Sequence, residues 1–173
     1  LIDIEKTFEH HLQNLKNRNY DILDVTATRW HDDFNQFKSG VKDLEVMMQN
    51  LINTAFDTVQ SVTQGVKVLD TFHGLAKREA IIRCVERNTA VMYELFKEQL
   101  ELVKGDFEAR RKSPPILPNE PKYAGSGQWA LGLLEWIKTQ YNAIDEAEFL
   151  TPSSDAKAMQ TSYTDLKKTL EEY

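Results

Sequence analysis

Apolar side chains recur along this chain at steps of three and four residues, the spacing that gathers them on one side of an α-helix. Leu1, Ile4, Phe8, Leu12 and Leu15 form the first stripe. The polar run Asn17-Arg18-Asn19-Tyr20-Asp21 interrupts it, and Asp24 to Thr28 offers turn and capping chemistry. Trp30, Phe34, Phe37, Val41, Leu44, Met48, Leu51 and Ala55 then follow alternating steps of 4 and 3, a heptad seam. Gly40, Met47, Ile52 and Thr54 flank that seam, and after Leu51 the stripe widens to Ile52, Phe56 and Val59. So broad an apolar face predicts packing against two or more neighbours, as in a bundle, and not a two-stranded coiled coil.

A short third helix is predicted from Val62, Val66, Leu69, Phe72 and Leu75, with His73-Gly74 near its end. A fourth is predicted from near Lys77 to about Lys112, carrying Ile81, Ile82, Val85, Met92, Leu95, Phe96, Val103 and Phe107. Arg110, Arg111 and Lys112 close it with positive charge, which complements the helix dipole. The segment from Ser113 to Pro121 must end this helix, because proline lacks an amide hydrogen and restricts the residue before it. A fifth helix is expected to start near Gly127, with Ala130, Leu134, Ile137, Tyr141 and Ile144 on one face. After a turn at Thr151-Pro152-Ser153-Ser154, a last helix carries Met159, Tyr163, Leu166, Leu170 and Tyr173. No convincing strand alternation is present. The expected fold is all-α: an elongated helical bundle or stack of helical hairpins, divided as 1–112, a Pro/Gly linker at 113–127, and 128–173.

Composition narrows the function. Of 173 residues, 41% are hydrophobic and 28% charged, enough to bury a core. The net charge of −6 argues against nucleic acid as the main partner, since phosphate binding needs a basic surface. No apolar run approaches the roughly 20 residues that cross a bilayer, so no membrane is expected. Beginning at Leu1 and not Met, the chain reads as a piece of a longer polypeptide. The single cysteine, Cys84, lies between Ile82 and Val85 and reads as a buried, inert thiol.

Candidate chemistry is sparse. Gly125-Ser126-Gly127-Gln128-Trp129-Ala130 fits G-x-G-x-x-A, but dinucleotide binding needs a strand before the loop, and Pro-Asn-Glu-Pro cannot supply a central parallel strand. His10-His11 and His31, near acidic residues, lack the spacing of a metal site. No recognisable nucleophile, base and orienting acid are present, so no catalytic, cofactor or metal residue is expected. Pro115-Ile116-Leu117-Pro118 matches P-x-x-P, although the apolar residues between the prolines favour internal packing. Trp30, Trp129 and Trp136 read as core or interface anchors.

Three blocks, taken in order, resemble the N-terminal tail of dynein heavy chains, above all axonemal ones. The first is Asn19 to Asp24 with Trp30 to Phe37 and Val41 to Glu45. The second runs from Phe56-Asp57-Thr58-Val59 through Val68 to Phe72, ending at Arg78-Glu79. The third is Pro114-Pro115, Asn119, Pro121, Gly125, Trp129, Leu133-Leu134 and Ile137. Departures lie in the third block: Lys122 replaces a usual second proline, Ser126-Gly127 an Ala-Ile pair, and Trp136 a common arginine.

The resemblance implies a very large parent motor whose ATPase ring is far away in sequence, and a tail built of stacked helical bundles in the cytoplasm and the axoneme of a cilium or flagellum. Its implied partners are other dynein heavy chains, intermediate and light chains, and docking factors on doublet microtubules. The implied role is structural: assembly and anchoring, without catalysis. Trp30, Phe34, Phe37, Leu44, Phe56, Phe72, Pro114, Pro115, Asn119, Pro121, Gly125 and Trp129 are the candidate structural or interface residues. The alternative is a helical adaptor that binds partners through the Pro-rich segment or a groove.

Overall fold

The structure is a computed structural model that describes residues 1–20, 28–74, 77–116, 121–150 and 152–173. The described residues form helices and their connections, with no strand. The helices are α1 (Ile2–Lys16), α2 (Arg29–Asp57), α3 (Val62–His73), α4 (Glu79–Arg110), α5 (Lys122–Asp145) and α6 (Ser154–Glu171). The all-α expectation holds, and the elements lie where the apolar periodicity placed them, apart from the start of the fifth.

Local chemistry sets several boundaries. Ser61 caps α3: its side chain accepts a hydrogen bond from the Gln64 amide, and the Gln64 side chain reaches back to accept from the Gln60 amide. Ser153 caps α6 in the same way, accepting from the Ala156 amide at 3.1 Å. Thr28, expected to add capping chemistry, precedes α2 in helical backbone geometry and makes no side-chain cap bond. Asp24, Leu75, Leu117, Pro118, Asn119 and Thr151 lie outside the described residues.

One boundary differs from the expectation. The fifth helix begins at Lys122, not near Gly127, so the Gly125–Gly127 stretch is helical and not part of a linker. Pro121 sits at the N-cap, where a missing amide hydrogen costs nothing, and its carbonyl accepts from the Gly125 amide at 2.8 Å. The glycines read as breakers, but tertiary packing overrides their weak helix propensity: Gly125 is buried.

Contacts show that consecutive helices run antiparallel and alternate helices run parallel. Phe8 meets Phe37, and Arg18 meets Asp33, across α1 and α2. Tyr141 stacks on Tyr163, and Trp129 meets Tyr173, across α5 and α6. Asn53 bonds Asn88, whereas Gln49 bonds Ala80, so α2 and α4 advance together. The same holds for α4 and α6, where Phe96 faces Tyr163 and Phe107 faces Tyr173.

The longest helix, α4, is the axis of the molecule and touches α2, α3, α5 and α6. Its Met92, Phe96, Leu100 and Phe107 are buried with Ile52, Leu69, Ile137 and Leu166 in one continuous core. Each large side chain fully removed from water there contributes roughly 1.5–3 kcal/mol. α1 stands apart. Among the described residues, it contacts no helix but α2 and has no buried residue. α2 therefore bridges two environments: its first half pairs with α1, and its second half, from Ile52 to Phe56, enters the core.

Two glycines lie at close approaches. A Cβ at Gly65 of α3 would lie 3.3 Å from Met92 Cγ, and one at Gly40 of α2 would lie 2.9 Å from the His11 ring. Both mark places where neighbouring helices come near because no side chain intervenes.

Candidate interface surfaces

The sequence candidates separate into three groups. Phe56 and Phe72 are buried in the core cluster. Leu44 is also buried, but it belongs to the part of α2 beside α1 and not to that cluster. Trp30, Phe34 and Phe37 belong to one aromatic assembly and Trp129 to another, near opposite ends of the fold.

The first assembly joins α1 and α2. Trp30 stacks on Phe34 at 5.2 Å between centroids, Phe34 on Phe37 at 6.5 Å, and Phe37 meets Phe8 of α1 at 6.3 Å. These rings occupy one side of α2 because their spacing is helical. Tyr20 packs edge-on against Trp30 at 5.1 Å and donates its hydroxyl hydrogen to Asp33 Oδ2 at 2.8 Å. Arg18 forms an ion pair with the other Asp33 oxygen, and Lys38 lies 4.6 Å above the Phe34 ring. Hydrogen bonds from Arg18 and Tyr20 hold the Asp33 carboxyl below the usual carboxylate range, while the same Asp33 contact raises the Arg18 guanidinium further. Burial and the Asp33 bond push the Tyr20 phenol up.

Trp30 nevertheless remains 37% exposed and Phe8 41%. The seam read from Trp30 onward is thus only half-covered at its start, where, among the described residues, α1 is the one helix that packs on it. Val46 and Met47, farther along α2, are 49% exposed each. An apolar groove lined by Ile4, Phe8, Val41, Leu44, Met48 and Ile81 lies between α1, α2 and the start of α4.

The second assembly ties the end of α4 to α5 and the C-terminal residue. Trp129 stacks on Phe107 at 5.8 Å, and Tyr173 meets Phe107 edge-on at 5.2 Å. Tyr173 also donates its hydroxyl hydrogen to the Arg111 carbonyl at 2.8 Å. Trp129 is half-buried here, whereas Trp136, on another face of α5, is 42% exposed. Pro114 is half-buried, Pro115 exposed and Pro121 exposed at the α5 N-cap. Asn119 lies outside the described residues.

Polar contacts that the periodicity did not reveal fix the helix registers. Asn88, buried in α4, donates to Asn53 Oδ1 at 3.1 Å and to the Cys84 carbonyl at 2.9 Å. Arg87 Nη2 donates to the same Asn53 oxygen at 2.7 Å, and the Cys84 thiol approaches it at 3.4 Å. Cys84 is buried, as expected, within this network. Gln140 of α5 accepts from the backbone and the hydroxyl of Thr63, and so caps the start of α3 from a separate helix. A buried asparagine in a helix carries no periodic signature; only the tertiary partner identifies it.

Gly125 to Ala130 lies inside α5, so the loop that would cradle a pyrophosphate ahead of a helix is not formed. Among the described residues, no three His, Cys, Asp or Glu side chains gather where they could hold a metal ion. No described helix is long and apolar enough to cross a membrane.

An all-α chain with packed helices, aromatic assemblies at its ends and half-covered apolar faces has the character of a packing segment. Comparison with known families supplies the particular one. The family model "Dynein heavy chain, N-terminal region 1" matches residues 1–173, and the chain belongs to that family. It is 40% identical over 174 residues to the Chlamydomonas reinhardtii dynein-1-beta heavy chain of the flagellar inner arm I1 complex, covering 100% of this chain. Mouse dynein axonemal heavy chain 2 is 40% identical over 99% of the chain. The Chlamydomonas gamma chain of the flagellar outer arm is 26% identical over 97%. The chain spans about 4% of the length of each of these relatives.

Proposed function

We propose that this chain is a non-catalytic structural segment of an axonemal dynein heavy-chain tail. It serves assembly with other heavy chains and with intermediate and light chains, and through them the anchoring of the motor on doublet microtubules in a cilium or flagellum. The relatives are axonemal or flagellar heavy chains, which supports an axonemal location. The observation that carries the reading is the half-covered α1–α2 hairpin. Its aromatic ladder is fixed in place by Arg18, Tyr20 and Asp33, yet open on one side. Pre-ordered aromatic side chains that remain exposed are the usual anchors of protein interfaces. The motor's ATPase chemistry would belong to other parts of the parent chain.

The test is the double substitution Trp30→Ser with Phe34→Ser in the full heavy chain, expressed in a flagellate lacking its own copy. Both residues lie outside the core cluster, so the bundle should fold. The expected result is a heavy chain that is made but recovers fewer partner chains and leaves the corresponding arms depleted in axonemes. Arms of normal composition and number would contradict the reading. The adaptor alternative has the exposure of Pro115 in its favour; loss of a partner on Pro115→Ala, with folding intact, would support it.

A further inference from the structure

A second surface, formed by α4, the end of α3 and the α5–α6 connection, has the chemistry of a docking groove. Its floor is Val85 and Tyr93 of α4, its side is Phe149 and Leu150 of the α5–α6 connection, and Ile82 stands at its mouth, 39% exposed. Glu86 of α4 and Asp155 of α6 also line it. His73, packed against Phe149 at 5.1 Å, divides it from an adjoining hollow between α3 and α5. That hollow adds Asp70, Glu146 and Glu148, with Lys67 as its lysine. Among the described residues, none of these carboxylates forms an ion pair with a lysine or arginine. Elsewhere on the surface, acids such as Glu79, Glu94 and Glu108 are paired within their own helix.

We propose that this groove docks a basic amphipathic helix from a partner protein, with apolar side chains against the floor and lysine or arginine toward the carboxylates. The charge complementarity selects this occupant. An apolar floor alone accepts any greasy segment, but rims of unpaired carboxylates repel acidic segments and steer basic ones. They also disfavour a second copy of this chain, whose net charge is −6. From Ile82 to Tyr93 the stretch of α4 that lines the groove runs about 16 Å, three turns of helix at 1.5 Å per residue. The inference adds a partner class to the structural role proposed above. It uses a face that role does not need, so its failure leaves the α1–α2 assembly reading intact.

The experiment titrates the 173-residue chain into a fluorescein-labelled three-turn helical peptide patterned with leucine and lysine, and into its counterpart with every lysine replaced by glutamate. Anisotropy should report saturable, salt-sensitive binding of the lysine peptide alone. Glu86→Lys with Asp155→Lys should weaken it about tenfold, since two attractions become repulsions. Ile82→Ser should weaken it as well, whereas Glu98→Lys, elsewhere on α4, should leave it unchanged. Thermal melts of each variant establish folding. Equal loss from Glu98→Lys would reduce the effect to general charge attraction and overturn the proposal. Equal binding of the glutamate peptide would do the same, and a dimer in sedimentation that Ile82→Ser dissolves would assign the groove to a second copy.

Discussion

Asn88 and Asn53 meet in the interior between α4 and α2, the Asn88 amide donating to the Asn53 side-chain oxygen at 3.1 Å. Arg87 and Cys84 converge on that same oxygen. A single acceptor shared by one helix turn holds α2 against α4 in one register, because sliding either helix would leave buried polar groups unsatisfied. Asn88→Leu should lower stability by about 0.5–1.5 kcal/mol, the net worth of one hydrogen bond, since Arg87 and Cys84 still serve the Asn53 oxygen. In a double-mutant cycle with Asn53→Leu, the two effects should sum to more than the double variant loses. Additive losses in denaturant melts would show that the pair is not coupled.

Leu69 and Leu44 are both buried, yet they should fail differently. Leu69 is 0% exposed and sits in the core shared by α3, α4 and their neighbours. Leu69→Asp places an unpaired charge there and should unfold the chain, with helical circular dichroism lost at 25 °C. Leu44→Asp should detach α1 while the core persists, because α2 is the one described helix that α1 touches. The expected readout is a modest loss of helix signal and early proteolysis before Arg29, with the main thermal transition retained.

Asp33 predicts how the hairpin answers to acid. Its folded carboxyl is held below the ordinary value by Arg18 first and Tyr20 second. The associated stability is present above the unfolded carboxyl's titration near 3.8 and is lost as pH falls through the folded value. Trp30 fluorescence should therefore change on acidification below about pH 4, at a point where the bundle's helicity has not yet fallen. Asp33→Asn should remove that step. An unchanged acid profile in the variant would contradict the assignment.

Tyr173 closes the opposite end through its bond to the Arg111 carbonyl and its edge-on contact with Phe107. Tyr173→Phe keeps the ring and should cost about 0.5–1 kcal/mol, at the lower end for one hydrogen bond because Tyr173 is 46% exposed. Tyr173→Ala should cost more and alter Trp129 fluorescence. Equal effects of the two variants would mean that the ring packing contributes nothing.

Helix positions were legible because one physical rule, burial of a periodic apolar face, dominates each of them. α4 shows this best: Ile81, Val85, Met92, Phe96 and Phe107 all point inward as their spacing requires. What a periodicity does not encode is which neighbour covers a face. Trp30, Phe34 and Phe37 carry the same spacing as Val41 and Leu44, but only the latter two are buried, since among the described helices α1 alone packs on that stretch. The start of α5 was obscured by Gly125 and Gly127, whose weak helix propensity is overridden by packing. Asn88 and Gln140 were invisible for a different reason. Their importance lies in partners on separate helices, Asn53 and Thr63, which no local pattern names.

The most direct test of the account is native-state hydrogen exchange on the 173-residue chain. One core should unite α3, α4, α5, α6 and the second half of α2, with α1 attached through α2 alone. Amides of Met92 to Leu100 and Ile137 should then exchange only through global unfolding, and those of α1 through a smaller, separate opening. If α1 proved as protected as α4, or if α4 exchanged as freely as α1, the proposed architecture and the functional reading built on it would be wrong.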